Sequence, residues 1–357
     1  MFSTSNIVKL QQVKGLGKAK ISKLQEITSF EPQSNADLLD ILIEHSKELR
    51  LGEISKSDIF LAFEKGDQLI EKSLENNIKI LSINDSNYPE LLKRTKAAPL
   101  LLSVKGSNLS ALNMPSVAVI GTREVSKYGF QIGERIAYLL AENNINVISG
   151  LAKGCDTSAH IGCLRGKGTT LGILAHGLDY IYPKENTKLA EMILEQDGLL
   201  VSEYFIGTRG LPNYFVERDR IQAGMSNATI VIETDIKGGT MHTVNFTLDY
   251  DRILAAYNHP EDKQFEKTRG NQMLIAQGKA IPLQTKEEIF NLFYKVNPEL
   301  LKRKENETSL QISEVFVPKL FSSEVYDSLV APKAPKVKRK AGTKKKPPES
   351  PKFFYND

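Results

Sequence analysis

Between residues 116 and 284 short apolar runs alternate with longer stretches of mixed polarity, and this alternation is the strongest structural signal in the chain. Runs rich in valine, isoleucine and leucine at 117–120, 146–149, 170–174, 199–202, 229–233, 253–256 and 280–282 are expected to be strands. The stretches near 128–143, 156–165, 187–196, 219–225, 242–249 and 268–277 have helical spacing. Continuous apolar strands that alternate with helices are buried on both faces, so the pattern predicts an α/β, doubly wound and mostly parallel Rossmann-like sheet. Before it, residues 1–75 read as a small helical domain. Residues 76–115 read as a connector packing on the main domain, with β-like runs at 78–83 and 99–104. The main domain spans 116–295, and a short segment, 296–330, leads into a tail at 331–357.

Three glycine-bearing turns follow apolar runs and carry a basic residue. They are Gly121-Thr122-Arg123, Gly150-Leu151-Ala152-Lys153-Gly154 and Lys237-Gly238-Gly239-Thr240. Each is expected at the carboxyl edge of the sheet, where open α/β folds bind ligands. Unpaired amides at a helix start attract anions, and glycine permits close approach, so the expected ligand bears phosphate. Glycine at such turns also serves packing alone. After the first strand there is no G-x-G-x-x-G, which argues against a nicotinamide or flavin cofactor; no cofactor is expected.

Charge modifies this picture. The net charge is +4, but residues 331–357 hold nine Lys/Arg and two Asp/Glu, leaving 38 basic and 41 acidic groups in the rest. The folded body is therefore not globally basic, and any nucleic-acid affinity must come from a local cluster. From Ala331 through Pro351 the tail has too few apolar residues to fold and is expected to be disordered, either as a solvated extension or as an electrostatic arm. With 41% hydrophobic residues, no run of membrane-spanning length and no secretory signal after Met1, a soluble, cytoplasmic protein without membrane contact is expected. Cys155 and Cys163 fit neither a zinc site nor a disulfide framework and read as packing residues. No metal site and no catalytic residue is expected. Asp156, His160, His176 and Asp179 have no nucleophile or ligand spacing beside them.

Near the N-terminus, Val13 to Leu24 holds Gly15 and Gly17 among apolar residues at helical spacing, with Lys18 and Lys20 close by. This resembles a helix-hairpin-helix, an auxiliary DNA contact through turn amides and lysines; a plain helical bundle is the alternative.

Several motifs point to one family. Val119-Ile120-Gly121-Thr122-Arg123, Ser149-Gly150-Leu151-Ala152-Lys153-Gly154-Cys155-Asp156-Thr157-Ser158-Ala159-His160, and Gly177-Leu178-Asp179-Tyr180-Ile181-Tyr182-Pro183-Lys184-Glu185-Asn186 occur in order. They are followed by Ser202-Glu203-Tyr204, Tyr214-Phe215-Val216-Glu217-Arg218-Asp219-Arg220-Ile221 and Arg269-Gly270-Asn271-Gln272-Met273-Leu274-Ile275. Over about half the chain this resembles the DprA family, also called Smf, the DNA-processing proteins of bacterial natural transformation. The resemblance implies a non-enzymatic protein that binds single-stranded DNA, forms a homodimer and helps load the RecA recombinase. It carries the DNA surface onto Arg123, Phe215, Arg218, Arg220 and the neighbourhood of Lys237, Gly238 and Gly239. Gly121, Thr122, Lys153, Gly154, Arg209 and Thr240 join the expected set through their place in or beside these turns. A cationic groove with an aromatic face suits a single strand independently of the family. Intramolecular ion pairs among Glu217, Arg218, Asp219 and Arg220, and a buried Phe215, are the competing readings.

The chain departs from the family pattern at Val216, usually proline, and at Asp219, usually asparagine, which would set a negative charge beside the expected phosphate track. His242 stands where a small residue is usual, and no winged helix is read after residue 295. A divergent paralogue, for example in phage defence or plasmid maintenance, fits these changes. A second function class is a nucleotide sensor or enzyme of the same Rossmann-like superfamily, such as the Lonely Guy phosphoribohydrolases with P-G-G-x-G-T-x-x-E. Here Gly238-Gly239-Thr240-Met241-His242-Thr243-Val244-Asn245 ends in Asn245 where that motif has its catalytic glutamate.

Overall fold

The computed structural model describes residues 2–53 and 55–302. The expected tail at 331–357 and most of the segment 296–330 lie outside the described residues. The chain opens with four helices, α1 (Thr4–Gln12), α2 (Lys18–Ile27), α3 (Asn35–Glu44) and α4 (Lys56–Glu75). Ser3, Ser34 and Ser55 start α1, α3 and α4 by accepting a hydrogen bond from the third residue onward. Strand β1 (Ile78–Ser82), the short α5 (Glu90–Lys93) and β2 (Leu101–Lys105) follow.

Strands and helices then alternate: β3 (Ser116–Ile120), α6 (Lys127–Glu142), β4 (Asn146–Ser149), α7 (Cys155–Arg165), β5 (Thr170–Leu174), α8 (Thr187–Glu195) and β6 (Leu199–Ser202). The second half comprises α9 (Pro212–Gly224), β7 (Ala228–Val231), α10 (Thr240–Asp249), β8 (Ile253–Tyr257), α11 (Arg269–Ala276), β9 (Ile281–Leu283) and α12 (Lys286–Val296). All nine strands form one sheet in the order β1-β2-β6-β5-β4-β3-β7-β8-β9. From β6 to β9 every pairing is parallel, whereas β1 and β2 join antiparallel at one edge. The α/β, doubly wound expectation is met.

Every residue of β3 to β7 is buried, which is why these strands read as mainly apolar runs without a polar alternation. The residues read as a connector supply β1 and β2, and Leu100 and Leu101 share a hydrophobic cluster with Ile7, Leu24, Leu38 and Phe63 of the N-terminal helices. The helices thus cover the antiparallel edge of the sheet. No helix among the described residues is long and apolar enough to cross a membrane.

The chain builds outward from β3 to β6, returns through α9 and adds β7 on the other side of β3. That reversal makes β3 and β7 the topological switch point, and the loops after β3, β4 and β7 share the carboxyl rim.

One buried side chain makes stability sensitive to acid. His160 on α7 is wholly buried, with Nδ1 at 2.7 Å from Thr170 Oγ1. The Thr170 hydroxyl donates to Val147 O, so the imidazole is the donor in the first bond. Burial, with help from Arg218, pushes the imidazole down to about 3. The unfolded side chain takes up its proton below about 6.5 and the folded one does not, so stability is full above that pH and falls as pH drops towards 3. At pH 5 this amounts to about 2 kcal/mol. A His160→Asn variant, which keeps the donor, is expected to lose about 2 kcal/mol less than wild type between pH 7 and 5 in urea unfolding.

Candidate nucleic-acid interface

At the rim, the first two glycine turns are already engaged by the protein's own acceptors, a main-chain carbonyl at the first and a carboxylate at the second. Glu233, just after β7, is fully buried. Its main-chain oxygen accepts from Thr122 N at 2.7 Å, its Oε2 from Ser126 N at 2.8 Å, and its Oε1 from the Ser126 hydroxyl. Ser126 in turn caps α6 by accepting from Gly129 N at 2.9 Å. A Cβ at Gly129 would overlap Glu233 Oε1, so this glycine makes room for the carboxylate. In the second turn, Asp156 Oδ2 accepts from Gly150 N at 3.1 Å and Ala152 N at 3.2 Å.

In both turns the space a Cβ would take is filled by the protein's own atoms, Cys155 and the Glu233 carbonyl at Gly121 and the Arg218 guanidinium at Gly150, so these glycines serve close packing. Gly154 has φ +79° and a Cβ there would overlap the Thr122 carbonyl; it nests the second turn against Gly121, Thr122 and Arg123. The third turn differs. Lys237 and Gly239 are exposed, nothing lies near a Cβ built on Gly239, and α10 starts there without a side-chain cap; Gly238 packs on Thr234, and Thr240 begins the helix.

The exposed chemistry of the rim is guanidinium set on aromatic rings. Arg123 is exposed, with its guanidinium carbon 5.6 Å from the Phe215 ring centroid. The Phe215 ring lies 5.7 Å from that of Tyr182, which is 52% exposed and so offers an open face. Arg209, also exposed, lies 4.4 Å from the Tyr180 centroid. The Tyr180 ring stacks at 4.2 Å on buried His176, and its hydroxyl accepts from Gly210 N at 2.7 Å. Two further bonds stitch the loops that bear these groups: Gly177 N to Thr208 O at 2.9 Å and Gly207 N to Asp179 Oδ1 at 2.9 Å. Lys153 is exposed and meets Glu185 at 3.0 Å, a solvent-facing pair that another anion can replace at little cost.

Four of the expected cations are committed elsewhere. Arg218 is 6% exposed; its Nη1 donates to Gly150 O at 2.7 Å and Ile173 O at 2.6 Å, and its Nε to Asp219 Oδ1 at 3.1 Å. The cause is helical phase. Pro212 opens α9 seven residues before the expected start at 219, placing Arg218 on the buried face with Ile221 and Gln222. Arg220 pairs with Glu203 and donates to Ala97 O at 2.8 Å. Lys18 donates to Ala98 O, and burial followed by the charge of Arg220 lowers its pKa; Lys20 reaches Arg50 O at 3.1 Å. These two lysines reach neighbouring backbone, although Lys18 stays exposed together with Lys14 and the turn glycines Gly15 and Gly17. Asp219 is held by Arg218 inside the protein; burial raises its pKa and Arg218 opposes the rise.

Tyr180, Tyr182 and Glu233 were absent from the residue set expected from sequence. The two tyrosines sit inside the 177–186 motif with i, i+2 spacing, but that spacing alone does not say which ring faces solvent.

These features define a class: a Rossmann-like protein in which a buried carboxylate sits at the helix start beside the switch point and the outer rim presents paired guanidinium and aromatic groups. A family model described as DNA recombination-mediator protein A matches residues 79–294, and the chain belongs to that family. It is 32% identical over 228 residues to Protein Smf of Synechocystis sp., covering 63% of this chain and 56% of that protein. The chain thus spans little more than half the length of that curated relative. The X-ray structure of DNA processing protein A (DprA) from Streptococcus pneumoniae matches with TM-score 0.67 and 30% identity, covering 81% of this chain and 97% of that one. The structure of DNA processing protein A from Helicobacter pylori, described for its single-stranded DNA binding mode, matches with TM-score 0.54 and 27% identity, covering 63% and 96%.

Proposed function

We propose that this protein binds single-stranded DNA as a non-enzymatic accessory of recombination during natural transformation. The observation that carries this reading is the Arg123–Phe215–Tyr182 series, an exposed cation beside two aromatic faces, with Arg209 on Tyr180 close by. Single strands are held by such combinations, because guanidinium groups meet the backbone and rings accept bases. The single-stranded DNA binding mode described for the Helicobacter relative supports it. Loading of RecA and a homodimeric state follow from the family resemblance and belong to the proposal. The nucleotide-sensor reading is disfavoured by Glu233, whose carboxylate sits at the α6 start where a nucleotide phosphate would be expected.

The test is fluorescence anisotropy of the full chain with single- and double-stranded oligonucleotides across salt, with a mononucleotide as competitor. Arg123→Ala is expected to weaken single-strand binding and reduce the slope of log K against log salt by about 0.7, the share of one phosphate contact. Removal of residues 331–357 should matter less. If that removal abolishes binding while Arg123→Ala changes nothing, the tail and not the rim is the DNA element.

A further inference from the structure

We propose that Glu233 is a positioning residue for DNA binding, holding the turn that carries Arg123 in the one arrangement that presents the guanidinium over Phe215. The inference rests on the reading of the rim as a single-strand site. Arg123 is exposed and, among the described residues, has no ion-pair partner; its ring contact with Phe215 is its anchor. Its direction therefore follows from its backbone. That backbone is held on one side by Thr122 N bonded to the main-chain oxygen of residue 233 at 2.7 Å, which any residue there supplies, and on the other by the side chain of Glu233, whose Oε2 accepts from Ser126 N at 2.8 Å. The Ser126 hydroxyl adds a bond to Oε1. Cys155 N bonds to Thr122 O at 3.2 Å and steadies the same turn from α7.

The surroundings are shaped around this carboxylate. Gly129 leaves the space its Oε1 occupies, and a Cβ at Gly121 would stand 2.8 Å from the Glu233 carbonyl. Glu233 follows β7, which pairs with β3 at the switch point, so it fastens the loop after β3 to the loop after β7. The acid acts on a bound strand only through Arg123, by fixing where that side chain starts.

The experiment is a double-mutant cycle on the full chain, with single-stranded oligonucleotide binding read by anisotropy across salt and folding checked by thermal melting. Glu233→Ala should weaken binding about tenfold and lower the salt slope by the same step as Arg123→Ala, yet add no more than about twofold when Arg123 is already alanine. Glu233→Gln keeps an oxygen for Ser126 N and should recover binding to within about threefold of wild type. Should Glu233→Ala fail to fold, Ser126→Ala, which removes the hydroxyl bond to Oε1, carries the same cycle with a smaller step. Equal losses in the wild-type and Arg123→Ala backgrounds would overturn the positioning role while leaving the DNA reading intact. No effect of Arg123→Ala alone would overturn both.

Discussion

Arg218→Ala is expected to lower the free energy of unfolding by about 3–5 kcal/mol, the usual loss when one member of a buried charged network is removed. The substitution strips donors from the carbonyls of Gly150 and Ile173, at the ends of β4 and β5, and leaves Asp219 and the neighbouring Asp156 without their cation. Both acids are already raised by burial, with Arg218 opposing the rise. Without it they rise further and favour the protonated form in the folded state. The loss should therefore be larger at pH 8 than at pH 5. Lysine is a poor replacement, because one ammonium cannot reproduce the fork that reaches two carbonyls and a carboxylate. The shift of the urea midpoint at constant slope measures the effect. A change within 1 kcal/mol of zero would mean that the guanidinium is free for a ligand, as the family motif suggested.

Phe215→Ala acts on binding instead. Loss of a base-stacking ring costs about 1–3 kcal/mol per base, which corresponds to roughly 5- to 150-fold in affinity. The ring is only half-buried, between Arg123 and Tyr182, so its removal should cost far less stability than that of Arg218. Phe215→Trp should restore most of the affinity by keeping an aromatic face. Anisotropy with a single-stranded oligonucleotide distinguishes the two sets of results. Equal binding by Phe215→Ala and wild type would show that the ring packs beneath the loop, and the strand would then have to rest on Tyr182 or Tyr180.

Much of the sheet could be read in advance because its strands are buried on both faces. The expected runs at 146–149, 170–174 and 199–202 coincide with β4, β5 and β6. The start of α9 was misplaced although Pro212 marks it, since proline suits the first helical position. Helix α12 was not anticipated either, although Thr285 and Glu288 form a capping box at its start. Both signals are local and were available. The fate of Arg218 was not, because nothing along the chain records that its helix packs over the ends of β4 and β5.

The alternating architecture, the glycine turns at the rim and the family motifs are legible along the chain, because strand burial, turn geometry and motif spacing are written in consecutive residues. Tertiary structure decided which charges face outward. Arg123 and Arg209 stay exposed beside rings, whereas Arg218 and Arg220 are spent on carbonyls and carboxylates brought near only by folding. A buried cation survives where such partners converge, and that convergence depends on distances between segments far apart in the chain.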